Sequence, residues 1–65
     1  QHWVRAVELL GIREVRRYPG LHDEPLHGKR MGQRSVRLNR AYRAIYIETV
    51  QGLEILVIEV NKHGY

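Results

Sequence analysis

The stretch QRSVRLNRAYRAIY, residues 33–46, decides how this chain is read. It alternates with a period of two: Val36 and Leu38 share a face with Arg34, while Gln33, Ser35 and Arg37 take the other. Asn39-Arg40-Ala41 is a short hairpin connection, since asparagine tolerates left-handed geometry, and a second strand follows from Tyr42 to about Thr49. Arginines stand at positions 34, 37, 40 and 43, and no acidic residue lies between Glu24 and Glu48. A guanidinium presents its donors in a planar fork that matches phosphate geometry. A β-hairpin carrying four of them predicts a floor on which a phosphodiester rests.

Outward from the hairpin, Gln51-Gly52 turns the chain and residues 53–60 form a third strand. Its centre, Ile55-Leu56-Val57-Ile58, is apolar at consecutive positions, which predicts a central strand covered on both faces. At the other end, residues 1–10 read as a helix with Trp3, Val7 and Leu10 at helical spacing and Arg5 and Glu8 outward. Gly11 is the expected stop. No Ser, Thr, Asp or Asn cap precedes this helix and there is no initiator Met, so the expectation is a fragment that begins inside a longer helix. Residues 12–18 predict a further turn or two of helix, ended by Pro19-Gly20, and residues 21–32 a loop pinned by Leu21 and Leu26.

These pieces add up to one small α+β domain over residues 1–65, with a helical part at 1–18, a loop at 19–32, and a β-meander with a tail at 33–65. A three-strand antiparallel meander packed against one N-terminal helix is thin. Its long strands call for another neighbour, and an exposed sheet edge raises the prospect of an oligomer. A chain near 65 residues buries only about 60% of its unfolded surface, so stability should be marginal. The absence of cysteine excludes disulfides and thiolate metal sites and fits a reducing cytoplasm. No apolar run approaches a membrane span and no signal-peptide pattern is present, so a soluble protein is expected, with no membrane partner.

The net charge of +4 is unevenly spread. Residues 1–24 balance, residues 25–47 hold six Lys and Arg with no acid, and residues 48–65 hold three Glu against Lys62. A neutral scaffold with one concentrated basic segment points to a polyanionic partner, although a solvated basic face is the ordinary alternative.

The chain ends Val60-Asn61-Lys62-His63-Gly64-Tyr65, and strand parity carries Asn61, His63 and Tyr65 to one face with Glu59. If Arg37 and Arg43 share that face, the parts for metal-free RNA cleavage meet: a group to deprotonate the ribose 2′-hydroxyl, one to protonate the leaving oxygen, and fixed cations on the phosphate. Histidine can take either proton-transfer role, and tyrosine can stack a base. The bland reading of His63 is a surface residue near a terminus, and of Tyr65 a cover for the sheet edge. The four histidines (2, 22, 27, 63) lack zinc spacing, so no metal or other cofactor is expected. His22-Asp23-Glu24 reads either as an acid–base cluster or as a loop tether to a nearby arginine.

The run from Pro25 to Leu38, PLHGKRMGQRSVRL, followed by Tyr42-Arg43-Ala44-Ile45-Tyr46 and the ending Glu59-Val60-Asn61-Lys62-His63, resembles the RelE/ParE toxin superfamily, in its HigB-like and RelE-like branch. The likeness covers roughly residues 21–65, with residues 1–18 similar to the second half of the family's helical hairpin. The family's first strand and first helix have no counterpart here. The resemblance implies the toxin of a type II toxin–antitoxin system, a ribosome-dependent endoribonuclease that cuts mRNA in the A site and is held inactive by a cognate antitoxin. It implies that Arg43 stabilises the transition-state phosphate, that Arg37 contacts phosphate from the preceding strand, that His63 is the acid or base, and that Tyr65 stacks on or orients the substrate. Lys29, Arg30 and Lys62 would contact phosphate or 16S ribosomal RNA, with Arg34 and Arg40 adding to the basic floor. The glycine between His63 and Tyr65 departs from members in which His and Tyr are adjacent. Two other readings stand beside this one: a ParE-like poison of DNA gyrase on the same fold, and an inactive truncated toxin.

Overall fold

The computed structural model describes residues 2–60. Helix α1 (His2–Leu10) is followed after Gly11 by a single turn, α2 (Ile12–Val15). Gly11 adopts φ 85°, a left-handed conformation that costs a residue without Cβ little. Its amide still bonds to Val7 O at 2.8 Å, so α1 closes its last turn before the chain swings into α2. Of the predicted helical stripe, Trp3 is buried and Val7 partly so, but Leu10 at the closing turn is half exposed.

Among the described residues the sheet has four antiparallel strands where the periodicity predicts three. β1 (Glu24–Pro25), β2 (Gln33–Arg37), β3 (Tyr42–Thr49) and β4 (Gly52–Val60) lie side by side in that order. The additional strand comes from the segment expected to be plain loop. Two residues are too few for an alternation to be seen, and its partner is found only by pairing Glu24 with Ser35 and Pro25 with Arg34. Around it the loop winds into two 3-10 turns, Pro19–Leu21 and Gly28–Arg30.

The helices cover one face of this sheet. Trp3 and Val15 pack on Val36, Ala44 and Tyr46, with Leu21, Leu38 and Leu53 at the margin. The Trp3 and Tyr46 rings lie 5.2 Å apart at 52°. A tilted aromatic pair of this kind adds about 0.5–1.5 kcal/mol beyond its buried area.

β4 corrects a second expectation. It is an edge strand among the described residues, and Ile55, Leu56, Val57 and Ile58 are between 38% and 50% exposed. Apolar content on both faces reports what a strand could bury, not what lies beside it. β4 also bulges at Leu56, where the register shifts between Ile45/Val57 and Tyr46/Ile55. The extra residue flips the parity, so Glu54 and Glu59, five apart in sequence, both fall on the face away from the helices.

Candidate functional site

β2 and β3 pair residue for residue, Arg37 opposite Arg43. The amide of Leu38 bonds to Tyr42 O at 2.9 Å, so the next pair inward, Arg37/Arg43, is a non-hydrogen-bonded one. Side chains stand closest in such pairs, with Cβ atoms about 4.5–5.5 Å apart. Both arginines are on the face opposite the helices. Like charges set directly across a ladder oppose folding, and a bound anion relieves that repulsion. Two partly buried arginines standing side by side have a geometry able to clamp one phosphate.

The clamp is not without countercharge. The segment 25–47 has no acid of its own, but the pairing sets Glu59 opposite Arg43 and Glu24 opposite Ser35 on the same face. Sheet neighbours bring in carboxylates from outside the basic segment, which a tally along the sequence misses.

The other predicted contacts divide by position. Arg34 lies on the helix side of β2 and is engaged there: its Nε donates to Asp23 Oδ1 at 2.5 Å. It therefore does not belong to the same surface as Arg37 and Arg43. Arg40 is exposed in the β2–β3 turn, which Asn39 shapes by accepting from the amides of Ala41 (2.8 Å) and Tyr42 (3.0 Å) through Oδ1. Lys29 and Arg30 are exposed in a six-residue loop, 27–32, closed by Leu26 N to Gln33 O at 2.9 Å. That loop opens from the far end of β2, about 14 Å from Arg37 at the usual rise per strand residue. Lys62, His63 and Tyr65 lie outside the described residues.

No protein-family model matches this chain, and no curated protein or solved structure matches it.

Asp23 is the residue whose weight the sequence conceals. Its side chain is fully buried, with Arg34 Nε at 2.5 Å on Oδ1, the Tyr46 hydroxyl donating to Oδ2 at 2.5 Å, and Arg16 Nε 3.8 Å from Oδ1. Arg16 also reaches Tyr46 Oη and Glu48 Oε1, each at 3.4 Å. Of the two readings of His22-Asp23-Glu24, the tether holds for Asp23. Burial first, and then the bond to Asp23, push the Tyr46 phenol up to about 12, against the opposing pull of Arg16. Beside this network lies a cleft of about 380 Å³, between the 27–32 loop and Arg16, Arg34 and Glu48.

Ser35 also escaped notice. It is 4% exposed, on the same face as Arg37 and Arg43, and its Oγ has no hydrogen-bond partner among the described residues. A buried hydroxyl left unsatisfied costs about 1–3 kcal/mol. The signal available in the sequence was a small hydroxyl residue in mid-strand between longer side chains, which alternation alone classes as polar surface.

Proposed function

We propose that this chain is an RNA-cleaving toxin of the RelE-like kind, a metal-independent endoribonuclease acting on mRNA at the ribosome in the cytoplasm. The observation that carries this is the Arg37–Arg43 pair, two cations set across one rung on the sheet face away from the helices. In the reaction, the ribose 2′-oxygen attacks the adjacent phosphorus and the 5′-oxygen of the next nucleotide leaves. Negative charge builds on the non-bridging oxygens of the pentacoordinate phosphate, where fixed guanidiniums stabilise it more than they stabilise the ground state. Arg37 and Arg43 take that role. His63 supplies proton transfer and Tyr65 stacks on the substrate, as the family resemblance implies, while Lys29, Arg30 and Lys62 hold the RNA at a distance from the cut. The cognate antitoxin is an acidic, partly disordered segment that folds over the basic face.

The test is to add the purified chain to ribosomes translating a defined message and map new 5′ ends by primer extension. Cleavage in the A site that disappears with Arg43→Ala is the expected result. Intact message overturns the proposal, and DNA damage on expression that survives His63→Ala replaces it with gyrase poisoning.

A further inference from the structure

We propose that Ser35 reads the ribose, so that the Arg37–Arg43 face takes RNA in preference to DNA; this rests on the reading of that face as a phosphodiester site. Buried hydroxyls are ordinarily bonded, and one that is not asks for an explanation. Ser35 Oγ is buried without a partner among the described residues. Its position supplies the explanation. Ser35 precedes Arg37 by two residues on β2, about 7 Å along the same face. It lies opposite Ile45 and so is diagonal to Arg43, at about 7–8 Å between backbones. The three side chains make a triangle small enough to share one nucleotide.

Within that triangle the donors and acceptors are unequally distributed. A guanidinium only donates, so neither arginine can accept from a sugar hydroxyl. A serine hydroxyl donates and accepts. The ribose 2′-hydroxyl also does both, and it is the group by which a protein tells RNA from DNA. Glu24 opposite Ser35 and Glu59 opposite Arg43 are acceptors too, but each carries a negative charge that repels the neighbouring phosphate. Of the neutral acceptors on that face, Gln33 Oε1 already accepts from Arg30 Nη1 at 3.5 Å, which leaves the Ser35 hydroxyl beside the two arginines. Its neighbours on that face are Ile45 and Glu24 on either side and Gln33, Arg37 and Arg43 around them. The arginines are long and rotatable, so a phosphate that draws them outward uncovers the hydroxyl.

A purely structural role differs in what it predicts for selectivity. If Ser35 is small merely to fit beneath longer neighbours, its hydroxyl is a burden, and Ser35→Ala leaves stability unchanged or raised and nucleic-acid selectivity unaltered. The experiment measures binding of the full chain, Ser35→Ala and Ser35→Thr to a single-stranded RNA oligonucleotide and to its 2′-deoxy counterpart of the same base sequence, by fluorescence anisotropy. The parent chain is expected to prefer RNA by about tenfold, the worth of one hydrogen bond. Ser35→Ala keeps the DNA affinity and holds or raises the melting temperature but loses that preference, and Ser35→Thr restores it. Should alanine disturb the fold, Ser35→Cys, similar in volume and a poor acceptor, carries the same comparison. An RNA-to-DNA ratio equal in parent and alanine variant overturns the assignment of Ser35 while leaving the arginine clamp standing. Failure of the parent to bind either strand overturns the clamp, and Ser35 with it.

Discussion

Asp23 Oδ1 and Arg34 Nε meet at 2.5 Å, joining the segment before β1 to the helix-facing side of β2 across eleven residues. The carboxylate is fully buried and also takes the Tyr46 hydroxyl, so its removal strands two guanidiniums and a phenol at once. Breaking a buried pair from one side costs about 3–5 kcal/mol. Asp23→Ala should therefore lower unfolding stability by about 3 kcal/mol, a large share of what a chain this small holds. Urea denaturation followed by tryptophan fluorescence measures it through Trp3, which packs on Tyr46. An unchanged midpoint would show that the network is incidental.

Tyr46 gives the pH dependence. Its phenol moves from 10.0 to about 12, chiefly through burial and secondly through the bond to Asp23. The folded state holds this proton more tightly than the unfolded chain does. The contribution is therefore complete below pH 10 and is lost as pH rises toward 12. Two pKa units correspond to about 2–3 kcal/mol. Denaturation midpoints taken across that alkaline window should fall steeply for the parent chain. Tyr46→Phe should start lower at neutral pH, for want of the hydrogen bond to Asp23, and show a flatter decline.

Under the proposed function, the Arg37–Arg43 rung should act on folding and on cleavage separately. Because like charges directly opposite oppose pairing, Arg37→Thr should leave stability equal or raise it by a few tenths of a kcal/mol, while in Arg43→Thr that gain is offset by loss of the cross-strand partner Glu59. The same substitutions should reduce mRNA cleavage by about 10²–10³-fold, the usual cost of one donor to a developing oxyanion. Arg34→Ala should do the reverse, destabilising the fold through Asp23. A cleavage assay run beside a melting curve separates the two classes. Equal loss of both properties in the Arg37 and Arg43 variants would mean they serve the fold.

Lys29 and Arg30 stand on a loop that opens about 14 Å from the clamp by strand rise, so they should act through charge and not through chemistry. Each cation that contacts single-stranded nucleic acid contributes about 0.7 to the slope of log affinity against log salt. Lys29→Ala with Arg30→Ala should flatten that slope by about 1.4 without moving the melting temperature. Titrations of an RNA oligonucleotide at several salt concentrations give the number directly, and an unchanged slope removes the loop from the binding surface.

What could be seen in the sequence was whatever repeats within a few residues. The alternation through Val36 and Leu38 and the Asn39 turn gave β2 and β3, and the pairing of Arg37 with Arg43 follows from that turn's length. Gly11 announced its own positive φ. What stayed hidden depends on partners far apart in sequence. Nothing local distinguishes Asp23 from Glu24, yet one is buried among arginines and the other is exposed on the opposite face. The two-residue β1 exists only because β2 is there to pair with it. The apolar centre of β4 was legible, but its place at an edge was not, since composition does not state neighbours.

That edge yields the last prediction. β4 presents Ile55, Leu56, Val57, Ile58 and Val60 with at least 38% of each exposed. Among the described residues its outer backbone groups have no neighbouring strand. A long apolar edge is a template for further strand pairing, and charge on the edge is the usual defence. Glu54 and Glu59 lie near the two ends, leaving residues 55–58 between them without a charge. The chain should therefore self-associate as concentration rises. Leu56→Lys should reduce that association, because Leu56 is the bulged residue and is not set opposite any residue of β3, so the substitution spares the ladder. Sedimentation velocity over a concentration series provides the measurement. A monomer at every concentration would show that the twist and bulge of β4 already protect the edge.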